Sequence, residues 1–245
     1  RQRLLAAGES LHAGSGLDAA DLGPQDRVRS RIEELSALAR QIDDRFGQAW
    51  ALNHLSGVLL ARGEVETALQ LAELALALAA AIESRSMRAG GLTKIGNALL
   101  AQAMLDEAAE AYEEAQTLCE QLEQTAESVL QLVNLAAIAL RRRQFDRTRP
   151  LIERVLARLS ADADITRQID LRVYWVCYQV LRALGDPRAD EMLLIGRRIL
   201  AQRANSIDGE AAQQRFLLHI SAHRHLVEAA DGLPADSIRT LAGAL

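Results

Sequence analysis

Cysteine, proline and aromatic residues are all scarce in this sequence of 245 residues. The two cysteines, Cys119 and Cys177, are far apart and form no CxxC pair, so neither a disulfide framework nor a cysteine-rich metal site is expected. Only four prolines and 3% aromatic residues are present, whereas alanine and leucine dominate. These residues favour closely packed helices. The composition therefore predicts an all-α protein in a reducing compartment, and we expect a cytoplasmic location.

Long apolar runs and catalytic signatures are missing as well. Nowhere do 18 apolar residues follow one another, so we expect no membrane partner. The sequence has no GxxxxGK[ST] phosphate loop, no GxGxxG and no GxSxG elbow. We therefore expect no catalytic activity and no cofactor. The chain begins at Arg1 without a signal peptide, which is what a fragment of a longer protein would show.

Charge gives a further exclusion. The net charge is −5, which disfavours a nucleic-acid partner because phosphate binding needs clustered cations. Lysine is nearly absent, since 27 of the 28 basic residues are arginine and only Lys94 is lysine.

His219, His223 and His225 have a spacing found in helical metal sites, but no carboxylate or cysteine completes the set. We expect these histidines to pack in a capping helix and to bind no metal.

The main positive feature of the sequence is an internal repeat. The stretch from Gly90 to Leu122 reads as two amphipathic helices joined by a short turn, and the pattern recurs on both sides at an interval of 40 residues. Small residues recur in each second helix, as a close helix crossing requires; they are Ala68, Ala72, Ala75, Ala108, Ala111 and Ala115. Larger residues of the first helices are expected to fill the facing groove: Leu55, Leu59, Ile95, Leu99, Leu135 and Ile138.

These units resemble tetratricopeptide repeats (TPRs). Ile95-Gly96, Ala108, Tyr112 and Ala115 match the TPR pattern, whereas the TPR proline is missing and the interval is 40 residues where the standard repeat has 34. The resemblance implies an all-α, right-handed superhelical α-solenoid that forms a single domain over residues 1–245. Its expected parts are an incomplete leading repeat (26–46), repeats at 48–85, 86–127 and 128–164, a degenerate repeat (165–204) and a C-terminal cap (208–245).

A second likeness lies in the segment from Gln213 to Val227. Its matching residues are Arg215, Phe216, Leu217, His223, Arg224, Leu226 and Val227. The segment is similar to the run that closes the repeat region of large bacterial ATPase regulators and multidomain cyclases, in which a STAND-type or AAA-like nucleotide-binding core precedes the repeats. This resemblance implies that any nucleotide binding belongs to domains upstream in the same polypeptide.

The TPR resemblance also implies a concave groove lined by the first helices. In TPR proteins that bind peptides, asparagine and basic side chains hold the peptide backbone or a carboxylate. The expected groove residues are Trp50, Asn53, His54, Lys94, Asn97, Asn134, Arg141, Arg172, Gln179 and Arg182. A purely structural interpretation stays open, in which Asn97 and Asn134 cap or bond the neighbouring turn and Trp50 and Trp175 belong to the core between repeats.

We therefore expect a non-catalytic sensor or interaction region of a larger bacterial signalling or transcription-regulating protein. Its partner would be a protein or peptide in the groove, or the upstream domains of the same polypeptide. One alternative is a self-standing scaffold that assembles complexes or homo-oligomers. Another is a peptide-pheromone receptor region.

Overall fold

The computed structural model describes residues 24–161, 165, 169–218 and 220–230. All regular secondary structure in these residues is α-helical, which confirms the predicted all-α repeat class. The helices are α1 (Pro24–Gln41), α2 (Arg45–Ala61), α3 (Val65–Ala81), α4 (Arg85–Ala101), α5 (Leu105–Gln121), α6 (Thr125–Arg141), α7 (Phe145–Ala161), α8 (Arg172–Ala183), α9 (Arg188–Asn205), α10 (Glu210–Leu218) and α11 (Ser221–Ala230).

Helices α2 to α7 follow the predicted period. Each has 17 residues, and the first helices begin at Arg45, Arg85 and Thr125, at intervals of 40 residues. Turns of three residues join them. Helix α1 ends earlier than the sequence indicated, so Phe46 lies in α2. The reason is local, because the Asp44 side chain caps α2 by accepting from the Gly47 backbone N–H at 3.0 Å.

One residue in each turn adopts a left-handed backbone conformation. These residues recur every 20 positions and have φ between 50° and 82°: Asp43, Gly63, Glu83, Ala103, Glu123 and Arg143. In the turn after α2, the N–H groups of Gly63 and Glu64 donate to the carbonyls of Leu60 and Leu59 at 3.0 Å each. This is the Schellman arrangement, which satisfies the last carbonyls of a helix. Only Gly63 was recognisable in the sequence, because the other five turns use residues that usually avoid this conformation.

The described residues form two compact units, divided between Glu123 and Gln124. In the first unit, consecutive helices from α1 to α5 pack on each other, and α2 also contacts α4. The predicted small-residue stripe is buried in this unit, since Ala68 and Ala108 have no exposed surface. Among the residues expected to face it, Leu59 is buried, but Ile95 is only half-buried. The hairpin core therefore depends on close backbone approach more than on large aliphatic side chains.

The second unit has a core of larger side chains. Helix α8 contacts α6, α7, α9 and α11, and it buries Val173, Tyr174, Cys177 and Leu181. The repeat interval is longer here, since the left-handed residues Arg143 and Gly185 are 42 positions apart. Helices α10 and α11 pack on α9 and on each other. Within the described residues, no helix is both long and apolar enough to span a bilayer.

Candidate functional site

The predicted groove residues of the first unit lie on two helices that touch. Trp50, Asn53 and His54 are on α2, Lys94 and Asn97 are on α4, and α2 contacts α4. We call this surface the α2–α4 face and define it by these five residues together with Gly57 and Gly90. The contact agrees with the expectation that first helices of successive repeats are neighbours.

Asn53 connects the two helices through its side-chain amide. Its side chain is 6% exposed, and its Nδ2 donates to the Met87 carbonyl of α4 at 3.5 Å. A hydrogen bond of that length is weak. The Oδ1 atom is buried, and no described residue donates to it. A buried carbonyl oxygen without a donor costs about 1–3 kcal/mol, so this amide gains if a ligand supplies an N–H group.

Two glycines make room for the polar side chains of the face. A Cβ atom on Gly90 of α4 would lie 3.3 Å from Asn53 Nδ2, and a Cβ atom on Gly57 of α2 would lie 3.3 Å from Lys94 Nζ. Each helix thus places a glycine opposite a polar side chain of the other. Within α2, Asn53 and Gly57 are four residues apart, and the same spacing separates Gly90 and Lys94 within α4. The two residues of each helix therefore lie on the same side, one turn from each other. The sequence interpretation missed both glycines, although the spacings Asn-x3-Gly and Gly-x3-Lys were visible.

Trp50 and His54 form an aromatic pair on the same face. Their ring centroids are 4.1 Å apart and the rings are inclined by 39°. Both residues are partly exposed, so Trp50 is not a fully buried core residue. Trp175, in contrast, packs against the core of the second unit. The pair adds a flat, partly apolar surface beside the Asn53 amide.

Asn97 has a structural partner within its own hairpin. Its Oδ1 accepts a hydrogen bond from the Tyr112 hydroxyl at 2.8 Å. Tyr112 is fully buried, so this bond satisfies a phenol that has left water. Asn97 therefore has a structural partner, but this partner lies within α5 and not in the neighbouring turn that the sequence suggested.

The predicted site residues of the second unit are more dispersed. Asn134 on α6 is buried and no described residue accepts from its Nδ2, whereas Arg141 at the end of α6 is exposed. On α8, Gln179 is exposed and Arg172 is half-buried. The Nε atom of Arg172 is buried and donates to no described residue. Helices α6 and α8 are in contact, and Arg182 lines a pocket.

Arg182 lies at the edge of an open pocket of about 460 Å³ beside the turn between α8 and α9. Its guanidinium donates to the Tyr178 hydroxyl and lies 5.7 Å from the centre of that ring. Asp186, Pro187, Asp190 and Ala229 complete most of the lining. Because a cation and two carboxylates share this pocket, it carries no single sign of charge that would select an anion or a cation.

The strongest charge cluster is next to that pocket and is structural. Arg188 donates to Asp186 through Nε at 2.9 Å and to Glu153 through Nη1 at 3.0 Å. The side-chain hydrogen bonds from Arg188 to Asp186, and one from the Arg188 backbone N–H, lower the pKa of Asp186 to about 2. The cluster ties α7 to the start of α9. Across the described residues, no group of three or more histidine, cysteine, aspartate or glutamate side chains is placed to hold a metal ion.

Regular helix hairpins, alanine crossings and left-handed turns make the described part of this chain an all-α helical repeat. No family model matches the chain, and no curated protein matches it. Solved structures of TPR-like repeat proteins are similar in fold.

A kinesin light chain-like protein of Podosopora anserina with nearly identical TPR-like repeats has a TM-score of 0.55 at 18% identity, over 84% of this chain and 96% of that protein. A Rap protein solved in complex with Competence and Sporulation Factor has a TM-score of 0.57 at 16% identity, over 84% of this chain and 60% of that protein. The apo form of RapI has a TM-score of 0.51 at 13% identity, over 98% of this chain and 94% of that protein. At such low identity these likenesses concern the fold alone.

Proposed function

We propose that this chain is a non-catalytic binding region whose α2–α4 face holds the main chain of a protein or peptide ligand. The observation that carries the proposal is the side-chain amide of Asn53, which has one weak bond to Met87 and an acceptor without a donor. An amide can donate to a peptide carbonyl and accept from a peptide N–H at the same time. If the Asn53 amide turns toward a ligand, it loses only the weak hydrogen bond to Met87 and gains two hydrogen bonds.

The neighbouring residues suit an extended ligand. Gly57 and Gly90 leave room that the Asn53 and Lys94 side chains occupy, so a main chain can approach the helix backbones when those side chains turn toward it. Lys94 adds a positive charge, and the Trp50–His54 pair adds an apolar surface for a ligand side chain. A TPR-like neighbour in fold, the Rap protein, was solved in complex with Competence and Sporulation Factor, which supports the choice of a binding role.

We further propose that the region is the sensor of a larger bacterial signalling or transcription-regulating protein in the cytoplasm. This part rests on the resemblance of residues 213–227 to the end of the repeat region in multidomain regulators. Ligand binding would then change how the repeat region contacts the upstream domains of the same polypeptide. We also propose that residues 1–245 form one continuous domain.

A screen on immobilised random 12-residue peptides tests the binding role. The protein is applied as wild type, as Asn53→Ala and as Gln70→Ala, a matched loss of an amide from the exposed face of α3. We expect the wild type and Gln70→Ala to bind the same peptides and Asn53→Ala to lose about tenfold in affinity, the equivalent of 1.4 kcal/mol. Equal binding by all three would remove the assignment to the α2–α4 face. An absence of bound peptides would favour the scaffold alternative, whose partners are folded proteins.

A further inference from the structure

The cap helices α10 and α11 pack on the rest of the second unit through apolar and aromatic contacts. Leu226 of α11 is fully buried. A Cβ atom on Gly196 of α9 would come within 3.1 Å of the Leu226 Cδ2 atom, so the two helices pack closely at this point. Helix α11 also contacts α8 and α10. Two histidines of α11, His223 and His225, supply aromatic contacts to those two helices.

His223 joins α11 to α10. Its side chain is only 7% exposed, its Nδ1 lies 2.8 Å from the Phe216 carbonyl oxygen, and its ring lies 4.6 Å from the Phe216 ring. Because a carbonyl only accepts hydrogen bonds, Nδ1 carries the donated proton. A neutral ring of this tautomer already satisfies the contact, so a second proton on Nε2 adds a buried charge.

His225 joins α11 to α8. Its ring stacks on Trp175 with a centroid separation of 5.0 Å and an inclination of 27°. Trp175 in turn contacts Tyr178, at 5.4 Å between centroids. Loss of α11 would therefore uncover the aromatic surface of α8 as well as the site occupied by Leu226.

We propose that helices α10 and α11 form an acid-sensitive latch, in which protonation of the buried His223 releases the cap from α8 and α9 and uncovers apolar surface. The charged groups that act on this ring are Asp170, which precedes α8, and Arg203 on α9. Arg203 donates to the Ile169 carbonyl at 2.9 Å, so its guanidinium is held in position. On α10 the facing group is the uncharged Phe216 carbonyl.

The direction of the effect follows from burial. Burial lowers the pKa of His223, and Arg203 lowers it further, whereas the bond to Phe216 and the charge of Asp170 raise it. The net lowering means that the unfolded cap binds a proton more readily than the folded cap. The cap is therefore fully stable above the ordinary histidine pKa of about 6.5 and loses stability as the pH falls through it.

Hydrogen–deuterium exchange of the full chain at about pH 7.5 and about pH 5.5 tests the latch. After correction for intrinsic exchange, we expect the protection of residues 210–230 to fall by at most about tenfold at the lower pH, because about pH 5.5 lies one unit below the ordinary histidine pKa, with α2 to α5 unchanged. Unchanged protection of residues 210–230, or an equal loss throughout the chain, would overturn the proposal.

Two variants separate the histidines. His223→Gln keeps a donor for the Phe216 carbonyl but does not titrate, so its protection should be the same at both pH values. His225→Gln retains the latch residue and should lose protection as the wild type does. If His223→Gln opens the cap at both pH values, an NMR titration of His223 in His225→Gln decides, because protection must then be lost between the ordinary histidine pKa and the measured His223 midpoint. A pH response that persists in His223→Gln, or disappears only in His225→Gln, would contradict the assignment.

Discussion

The ring of Tyr112 on α5 lies directly against the backbone of Gly96 on α4. A Cβ atom on Gly96 would come within 2.7 Å of the ring carbon Cε1, closer than such atoms approach in proteins. The Tyr112 hydroxyl then reaches Asn97 at 2.8 Å. The pairing of a glycine and a tyrosine, visible in the sequence as part of a TPR-like pattern, is therefore a steric requirement of this hairpin.

The contact between Gly96 and Tyr112 predicts opposite effects for two glycine substitutions. Gly96→Ala should destabilise the protein by about 1–3 kcal/mol because the buried ring must move. Gly57→Ala should be neutral or stabilise by up to about 1 kcal/mol, since its new methyl group meets only the flexible end of Lys94 and alanine favours the helix. Urea unfolding followed by circular dichroism measures both. Equal effects of the two substitutions would contradict the steric account.

The left-handed turns predict a second pair of opposite effects. Ala103 has φ of 61° and Gly63 has φ of 82° at equivalent positions of two turns. Ala103→Gly should raise the free energy of unfolding by about 1 kcal/mol, because glycine adopts this conformation without steric cost. Gly63→Ala should lower it by a similar amount. Thermal unfolding of the two variants tests this, and a loss of stability in Ala103→Gly would show that the turn is not strained.

The carboxylate of Asp186 predicts a dependence on acid pH. Arg188 holds the pKa of Asp186 at about 2, below the ordinary value near 3.9. The hydrogen bonds from Arg188 to Asp186 stabilise the folded protein above the ordinary pKa, and this stabilisation is lost as the pH falls toward about 2. Asp186→Asn should therefore lower the urea midpoint at neutral pH and flatten its decline below about pH 4. Asp146→Asn, an exposed change on α7, is the control, and identical pH profiles of wild type and Asp186→Asn would contradict the prediction.

The sequence predicted the period, the alanine crossings and the helix pairs because each follows from side-chain type at fixed spacing. It did not identify the left-handed residue of most turns because Glu83, Ala103 and Arg143 are poor indicators of left-handed backbone, which tertiary packing imposes on them. It overestimated the burial of Ile95 because the neighbouring Gly96 and its contact with Tyr112 occupy the centre of the crossing.

The candidate site was predicted only in part. Asn53 and Lys94 lie on first helices that are in contact, as the repeat register indicated, and their role in binding stays a prediction. Gly57 and Gly90 were missed, since the absence of a side chain becomes informative only when the opposing residue is known. The partner of Asn97 was also missed, because it depends on how the hydroxyl of Tyr112 crosses to α4.

The single lysine of the chain allows the most direct test of ligand binding at the α2–α4 face. Reductive methylation with ¹³C-formaldehyde labels Lys94 and the terminal amine, so that one side-chain NMR signal reports on the face. We expect a peptide selected in the array screen to shift the Lys94 signal in wild type and in Gln70→Ala, and to require about tenfold more peptide in Asn53→Ala. A Lys94 signal that stays unchanged while the peptide binds would contradict the central claim.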